Sequence, residues 1–435
     1  MEKDEIKFLK AFLNIVLIAT IVIAFVGIPI IPKSVNAQSG YLVLQWSSNT
    51  GSDVLCVDIS DGDSNASNVY VVAGSKYNLS VFDGSGNLRW YNNSITLSDF
   101  STRGTDHNVA ISGNAQYIVA GSSDGYVYVF DILGNLLWKD RPRGISSTQV
   151  YSVDVSNPLK NDINISYVVV SNSNSFYVYY ASNGTLCWSQ ALLREPGYVK
   201  VVKISENGNW IGVCNTNKEI EFHNNTEPGH HSMIWSYNTT GPYVTIDIGR
   251  TGQVIVAGED YPFIQNTSYV YKFDAGEDCI WGTDDDNVTD DNIWKRAEPD
   301  DIYAVAVSDC DTVGPAGSPF SVISGQTSFD NESEESYYYS PNKIRNWSTG
   351  IIWSAAATYD NNSAYNFRLF GTFSPENNVT LVAQDSDTII DYYTTNGTVN
   401  TVAISYSYCQ PTQYFDYFVA GSADDYVYFF TYAYP

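Results

Sequence analysis

Two groups of oxygen-bearing side chains are the places in this 435-residue chain where residue type and spacing could do chemistry. Asp61-Gly-Asp63-Ser-Asn65 sets oxygen ligands at alternating positions, and Asp284-Asp-Asp286-Asn287 with Asp290-Asp291 makes a denser group. Calcium binds through such oxygens. Asp61, Asp63 and Asn65 are therefore the candidate metal ligands, and calcium is the one cofactor they suggest. Neither group completes a known calcium loop, the first lacking Gly at its sixth position and a distal Glu. Asx-rich turns use the same residues for backbone reasons. Asn65 also begins a glycosylation sequon, so a glycan there would compete with metal.

Nucleophile chemistry finds less support. The histidines His107, His223, His230 and His231 sit beside no Ser or Cys in a recognisable arrangement, and solvated loop positions are expected for them, with His230 and His231 in a turn. Gly-x-Ser-x-Gly, His-Glu-x-x-His and phosphate-loop motifs are absent from the sequence, and no catalytic residue is nominated. The six cysteines Cys56, Cys187, Cys214, Cys279, Cys310 and Cys409 form no Cys-x-x-Cys, which disfavours zinc, iron–sulfur and c-type haem sites.

Charge and targeting narrow the class further. Lys and Arg number 22 against 48 Asp and Glu, a net charge of −26 that repels nucleic-acid phosphates. The apolar run 11–32, broken by Asn14 and Thr20, is long enough as a helix to cross a bilayer. Val35-Asn36-Ala37 puts small residues where a signal peptidase cuts. Residues 1–37 thus read as a signal peptide or a membrane-anchor helix, and both place residues 38–435 outside the cytoplasm. A variant reading is pilin-like processing at Lys10-Ala11, leaving the helix attached for polymerisation. Sequons begin at Asn65, Asn78, Asn92, Asn164, Asn183, Asn224, Asn238, Asn266, Asn287, Asn331, Asn346, Asn361, Asn378 and Asn396. Chance pairing of 38 Asn residues with Ser or Thr would give about half as many. An exported chain with an even cysteine set is expected to form disulfides.

The elements that carry all of this repeat along the chain. Val109-Ala-Ile-Ser112, Tyr117-Ile-Val-Ala-Gly-Ser122, Tyr126-Val-Tyr-Val-Phe-Asp131 and Gly134-Asn-Leu-Leu-Trp138 have counterparts at Val57–Trp90, Val153–Trp188 and Val402–Phe430. Short β-branched and aromatic runs between Gly, Asp and Asn turns are strands. Trp46, Trp90, Trp138, Trp188 and Trp235 are spaced 44, 48, 50 and 47 apart, the blade period of a β-propeller. The tryptophans are assigned to packing between blades. The expected fold is all-β: a single propeller of four-stranded antiparallel blades. Eight blades with the seventh truncated are preferred and seven are the alternative, because first strands end near Ile59, Ile111, Val155, Ile204, Ile248, Val307, Phe373 and Ile404. The last unit stops without its Trp strand and Tyr41–Trp46 is a Trp strand without a blade, so the N-terminal strand should close the ring against Tyr426–Phe430.

Ala-Gly-Ser-x-Asp-Gly-x-Val-Tyr-x-Phe-Asp followed by Gly-Asn-Leu-Leu-Trp resembles the PQQ-like propeller repeat, over essentially all of 40–435. That family includes quinoprotein dehydrogenases, an outer-membrane assembly lipoprotein and archaeal surface proteins. For a dehydrogenase the resemblance implies a quinone, a calcium ion, a carboxylate base in the central funnel and a disulfide between adjacent cysteines. No two cysteines here are adjacent. On the repeat map the expected bridges are Cys187–Cys214, Cys279–Cys310 and Cys56–Cys409, the last locking the ring. The acidic, aromatic stretches 282–301 and 328–345 read as inserts suited to protein or sugar contacts. The functional expectation is a non-enzymatic surface glycoprotein serving adhesion, assembly or the envelope. The alternatives are a sugar- or calcium-binding module and a quinone oxidoreductase.

Overall fold

The computed structural model describes residues 41–433 except 62–67, 98–107, 143–148, 158–164, 173, 193–198, 228–229, 240, 242–243, 260–266, 276–279, 284–285, 287, 290–292, 299–301, 309–320, 327–335, 341–342, 348–351, 358–366, 374, 384–387 and 406–416. Over 200, 226–227, 230, 244, 296, 298, 308, 321–326, 336–340, 343–347, 383 and 388 the backbone alone is described. The signal or anchor segment therefore lies outside the described residues. Within them no helix is long and apolar enough to cross a membrane.

The strands form eight four-stranded antiparallel sheets. Blade one comprises Val54–Ile59, Tyr70–Ser75, Asn78–Asp83 and Leu88–Asn92, and blade two Val109–Ile111, Ile118–Gly121, Val127–Phe130 and Leu136–Asp140. Blade three comprises Ser152–Val155, Tyr167–Asn172, Ser175–Tyr180 and Leu186–Ala191, and blade four Val199–Ile204, Trp210–Asn215, Glu219–Glu227 and His230–Asn238. Blade five is built from Val244–Ile248, Val254–Glu259, Ser268–Asp274 and Trp294–Glu298. Blade six uses Ile302–Ser308, Ser321–Gln326, Ser336–Ser340 and Lys343–Trp347. Blade seven is Ile352–Ala357, Phe367–Thr372, Asn378–Ala383 and Thr388–Thr394. Blade eight joins both ends of the chain: Val399–Ile404, Tyr417–Ser422 and Tyr426–Ala433 pair in turn, and Tyr41–Asn49 completes the sheet. Its register runs from Tyr41 opposite Ala433 to Asn49 opposite Tyr426, so the N-terminal strand does close the ring.

The first strand of each blade touches the first strand of the next, and the first strand of blade eight touches that of blade one. These strands therefore surround a central axis. The core is divided accordingly into apolar wedges, one between each pair of neighbouring blades. Second strands are buried end to end, as in Tyr167–Asn172, because a sheet lies on either side of them. Fourth strands are largely exposed, as in Leu136–Asp140 where only Trp138 is half-buried, because they form the outer edge of each blade.

Two repeated sequence features acquire physical reasons. In Val-Ala-Gly-Ser the glycine faces the first strand of the following blade: a Cβ on Gly421 would lie 2.4 Å from a Val54 methyl. In the turn between third and fourth strands a glycine at positive φ (Gly134, φ 86°) lies under the Trp of the preceding blade, Trp90, with 2.8 Å between a would-be Cβ and the ring. The Trp is aimed there by a β-bulge at the residue before it, seen at Arg89, Leu137 and Cys187. Its indole N–H then donates to a carbonyl of the next blade: Trp46 to Gly84 at 3.1 Å, Trp90 to Ile132 at 3.0 Å, Trp138 to Ala181 at 2.7 Å. In blade four the roles part: Trp235 stacks between Phe222 and Phe273, while Trp210 covers Gly252 of blade five.

Several expectations need correction. The first strand of blade seven is Ile352–Ala357, and Phe367–Thr372, which ends just before Phe373, is its second. That blade has four strands and is not truncated, its fourth carrying Asp391 where others carry Trp. The stretch 328–345 is not an insert: Tyr337, Tyr338 and Tyr339 lie in the third strand of blade six, and Trp294–Glu298 within 282–301 is the fourth strand of blade five. Acid-rich flanks masked these strands in the sequence.

Candidate functional site in the central channel

One register position on the first strands, opposite the residue two before the Ala-Gly-Ser glycine, points toward the following blade beside the axis. It holds Asp58, Ala110, Asp154, Lys203, Asp247, Ala306, Ala356 and Ala403 in blade order. Four charges thus gather where the other blades carry only methyl groups. Each carboxylate staples its blade to the next: Asp58 accepts the Ile111 N–H at 2.8 Å, Asp154 that of Ile204 at 2.9 Å, and Asp247 that of Val307 at 2.9 Å. Asp58 and Asp154 use their other oxygens for the N–H of Ile59 and Val155. Hydroxyls do the same elsewhere, Ser354 accepting from Val402 and Thr401 from Val57.

Lys203 is the cation of this ring. Burial alone would depress it, but Asp154, Asp247 and Asp58 outweigh that and hold its ammonium above the usual lysine range. Burial pushes Asp58 up to about 6, against the opposing pull of its N–H donors and Lys203. Burial likewise raises Asp154 and Asp247.

At the end of the first strands a second set meets across the channel. Arg250 of blade five bonds Glu206 of blade four at 2.5 Å and lies 3.8 Å from Asp61 of blade one, the blade opposite it in the ring. Asn157 of blade three donates to the same Asp61 oxygen at 3.1 Å. Backbone bonds tie this rim together: Asp61 N–H to Gly113, Asn157 N–H to Glu206, and Glu206 N–H to Arg250. Polar side chains of blades one, three, four and five therefore meet at this end of the channel.

Asp61, the described member of the candidate calcium set, is thus engaged with Arg250 and Asn157, a cation and an amide donor; Asp63 and Asn65 lie outside the described residues. Among the described residues no cluster of His, Cys, Asp or Glu is arranged to hold a metal. Asp286 caps a turn through the Gly282 N–H. The funnel carboxylates do not fit the role the quinoprotein resemblance implies. Their oxygens are engaged by backbone N–H groups of two blades and they share one lysine, so a calcium ion would have to displace these bonds.

The histidines differ from expectation. His223 is buried on the third strand of blade four, its Nε2 3.1 Å from a Glu221 carboxylate oxygen. His230 and His231 open the fourth strand, and His231 stacks on Trp188 with 4.3 Å between ring centres. His107 lies outside the described residues.

The cysteines also require a correction. Cys187 and Cys214 are not joined. Cys214 occupies the glycine position of the second strand and packs toward Ile246 of blade five, whereas Cys187, at the bulge of blade three, packs into the wedge between blades three and four. The two face different interfaces. Burial pushes the Cys187 thiol up to about 12, which keeps it protonated. Cys56 packs among Leu97 and Val109 between blades one and two. Cys279, Cys310 and Cys409 lie outside the described residues, and with them the other two expected bridges.

The charged ring went unnoticed in the sequence although its signal was present. Val57-Asp-Ile, Val153-Asp-Val, Val202-Lys-Ile and Ile246-Asp-Ile each set a charge between two buried aliphatics. Among the described sequons, Asn183, Asn238 and Asn396 are exposed at strand ends and turns, whereas Asn78 is engaged, donating to the Thr50 carbonyl at 2.7 Å and accepting from Ser80. No protein-family model matches the chain, and no curated protein matches it.

Proposed function

We propose that this propeller is an exported, non-enzymatic surface glycoprotein that works through its faces as an adhesion, assembly or envelope subunit. The observation that carries the reading is the match between an export signal in 1–37 and exposed sequons at Asn183, Asn238 and Asn396. Glycans there would extend into solvent without displacing a core contact. The acidic surface favours solubility and works against nucleic-acid partners. The channel carboxylates are engaged in holding blades together, which fits a scaffold role better than a catalytic one. Partners on this reading are proteins or glycans at the cell surface, with self-assembly included, and contact with the membrane is through the N-terminal helix if it is retained. Kinship with the PQQ-like repeat family belongs to the same proposal and rests on the repeat motifs.

Labelling of intact cells with a membrane-impermeant amine reagent, followed by intact-mass measurement of the purified protein, tests this. Labelling together with a mass above the polypeptide by several glycans is expected. Protection from label with a bare mass would overturn it.

A further inference from the structure

The central ring carries more than its stapling role requires. Stapling needs only an acceptor, and Ser354 and Thr401 supply one without charge between blades seven and eight and between eight and one. Two residues further along their strands, Asp58, Asp154 and Asp247 supply a carboxylate acceptor, at Asp154 in addition to the Ser152 hydroxyl that accepts the Val202 N–H at 3.3 Å, and a single ammonium, Lys203, serves all three. The inner strands of blades two, six, seven and eight contribute Ala110, Ala306, Ala356 and Ala403 at this level, with no charge to balance the set. One step along the strands lie Asp61, Glu206 and Arg250, where the cation is already held by two acids. The ring therefore faces a low-dielectric, partly buried space with two more negative than positive charges when fully ionised.

We propose that this ring is an acid-favoured clamp: it takes up protons as the pH falls from neutral into the mildly acidic range, and the closed propeller is more stable there. Proton uptake relieves the charge excess while leaving a carbonyl oxygen on each carboxyl to accept the neighbouring N–H, so the staples survive protonation. The direction is opposite to that of an ordinary salt-bridged aspartate. Burial raises Asp58 to about 6 from 3.8, and raises Asp154 and Asp247 as well. Between those limits the folded chain holds protons that the unfolded chain has released. Stability is then full below the unfolded value and falls as pH rises through the folded one.

The test is chemical unfolding of the mature chain from pH 4.5 to 7.5 at fixed high salt, which screens the net charge of −26. The unfolding constant should rise about tenfold per pH unit for each extra proton held by the folded state. Asp58→Asn, which keeps an acceptor oxygen, should flatten that slope; Lys203→Met should shift the loss of stability to higher pH. Stability that is level or increases with pH over this range would overturn the proposal, as would an unchanged slope in Asp58→Asn. If either variant fails to fold, difference titration of the wild-type chain, native against urea-unfolded, decides. More protons on the native form at pH 5.5 support the clamp, and equal or fewer overturn it.

Discussion

Asn78 shows how one side chain can decide between two uses of the same three-residue motif. Its amide donates to Thr50, in the connection between the closing strand and blade one, while its oxygen accepts from the Ser80 hydroxyl of its own sequon. A glycan on that nitrogen would have to fit where the amide packs. Asn183, Asn238 and Asn396 are exposed and meet no such demand. Glycopeptide mapping of native material should therefore find sugar on these three and none on Asn78. The thiols make a second case at this scale. Cys187 and Cys214 serve different wedges, so non-reducing peptide mapping should recover them unlinked to one another. Cys187, held protonated by burial, should react slowly with maleimide in the native protein and rapidly once unfolded.

At the scale of the strand, the joints from blade eight to one, one to two and two to three each seat a tryptophan on a glycine. Trp138 fills the space over Gly184 and donates to Ala181. Trp138→Phe retains most of the apolar surface and leaves that carbonyl without the indole, at a cost of about 1 kcal/mol in urea unfolding. Gly134→Ala meets both a positive φ and the Trp90 ring, and should cost about 1–3 kcal/mol. The closing strand behaves as an element in its own right. Removing 41–49 uncovers the edge of Tyr426–Ala433 and removes Trp46 from its stack on Phe429, with 5.1 Å between ring centres. The truncated chain should aggregate at concentrations where the intact propeller stays monodisperse by light scattering. The bulge before each Trp was invisible in the repeat pattern, because one extra residue changes spacing too little to stand out against turns of varying length.

At the scale of the whole molecule, an apolar wedge fills every joint of the ring while the hydrogen bonds across the joints vary, and blade eight is assembled from both chain ends. The Val-Ala-Gly-Ser and Gly-Asn-Leu-Leu-Trp runs were enough to specify the blade, since alternation, turn glycines and a periodic Trp are local properties that a sequence displays directly. The orphan strand Tyr41–Trp46 and the three-stranded C-terminal unit likewise specified how the ring must close. What tertiary structure alone decided is which side chains from distant repeats meet. Asp58, Asp154, Lys203 and Asp247 lie 44 to 189 residues apart, and only the circular arrangement brings them to one axis. Asp61 read as a metal ligand in sequence and became the partner of Arg250 because blade five lies opposite blade one. Cys187 and Cys214 were neighbours on the repeat map, yet alternate positions on twisted strands turned them to different wedges. Local periodicity determines the element. The faces those elements present to one another arise from ring closure, which no window of sequence contains.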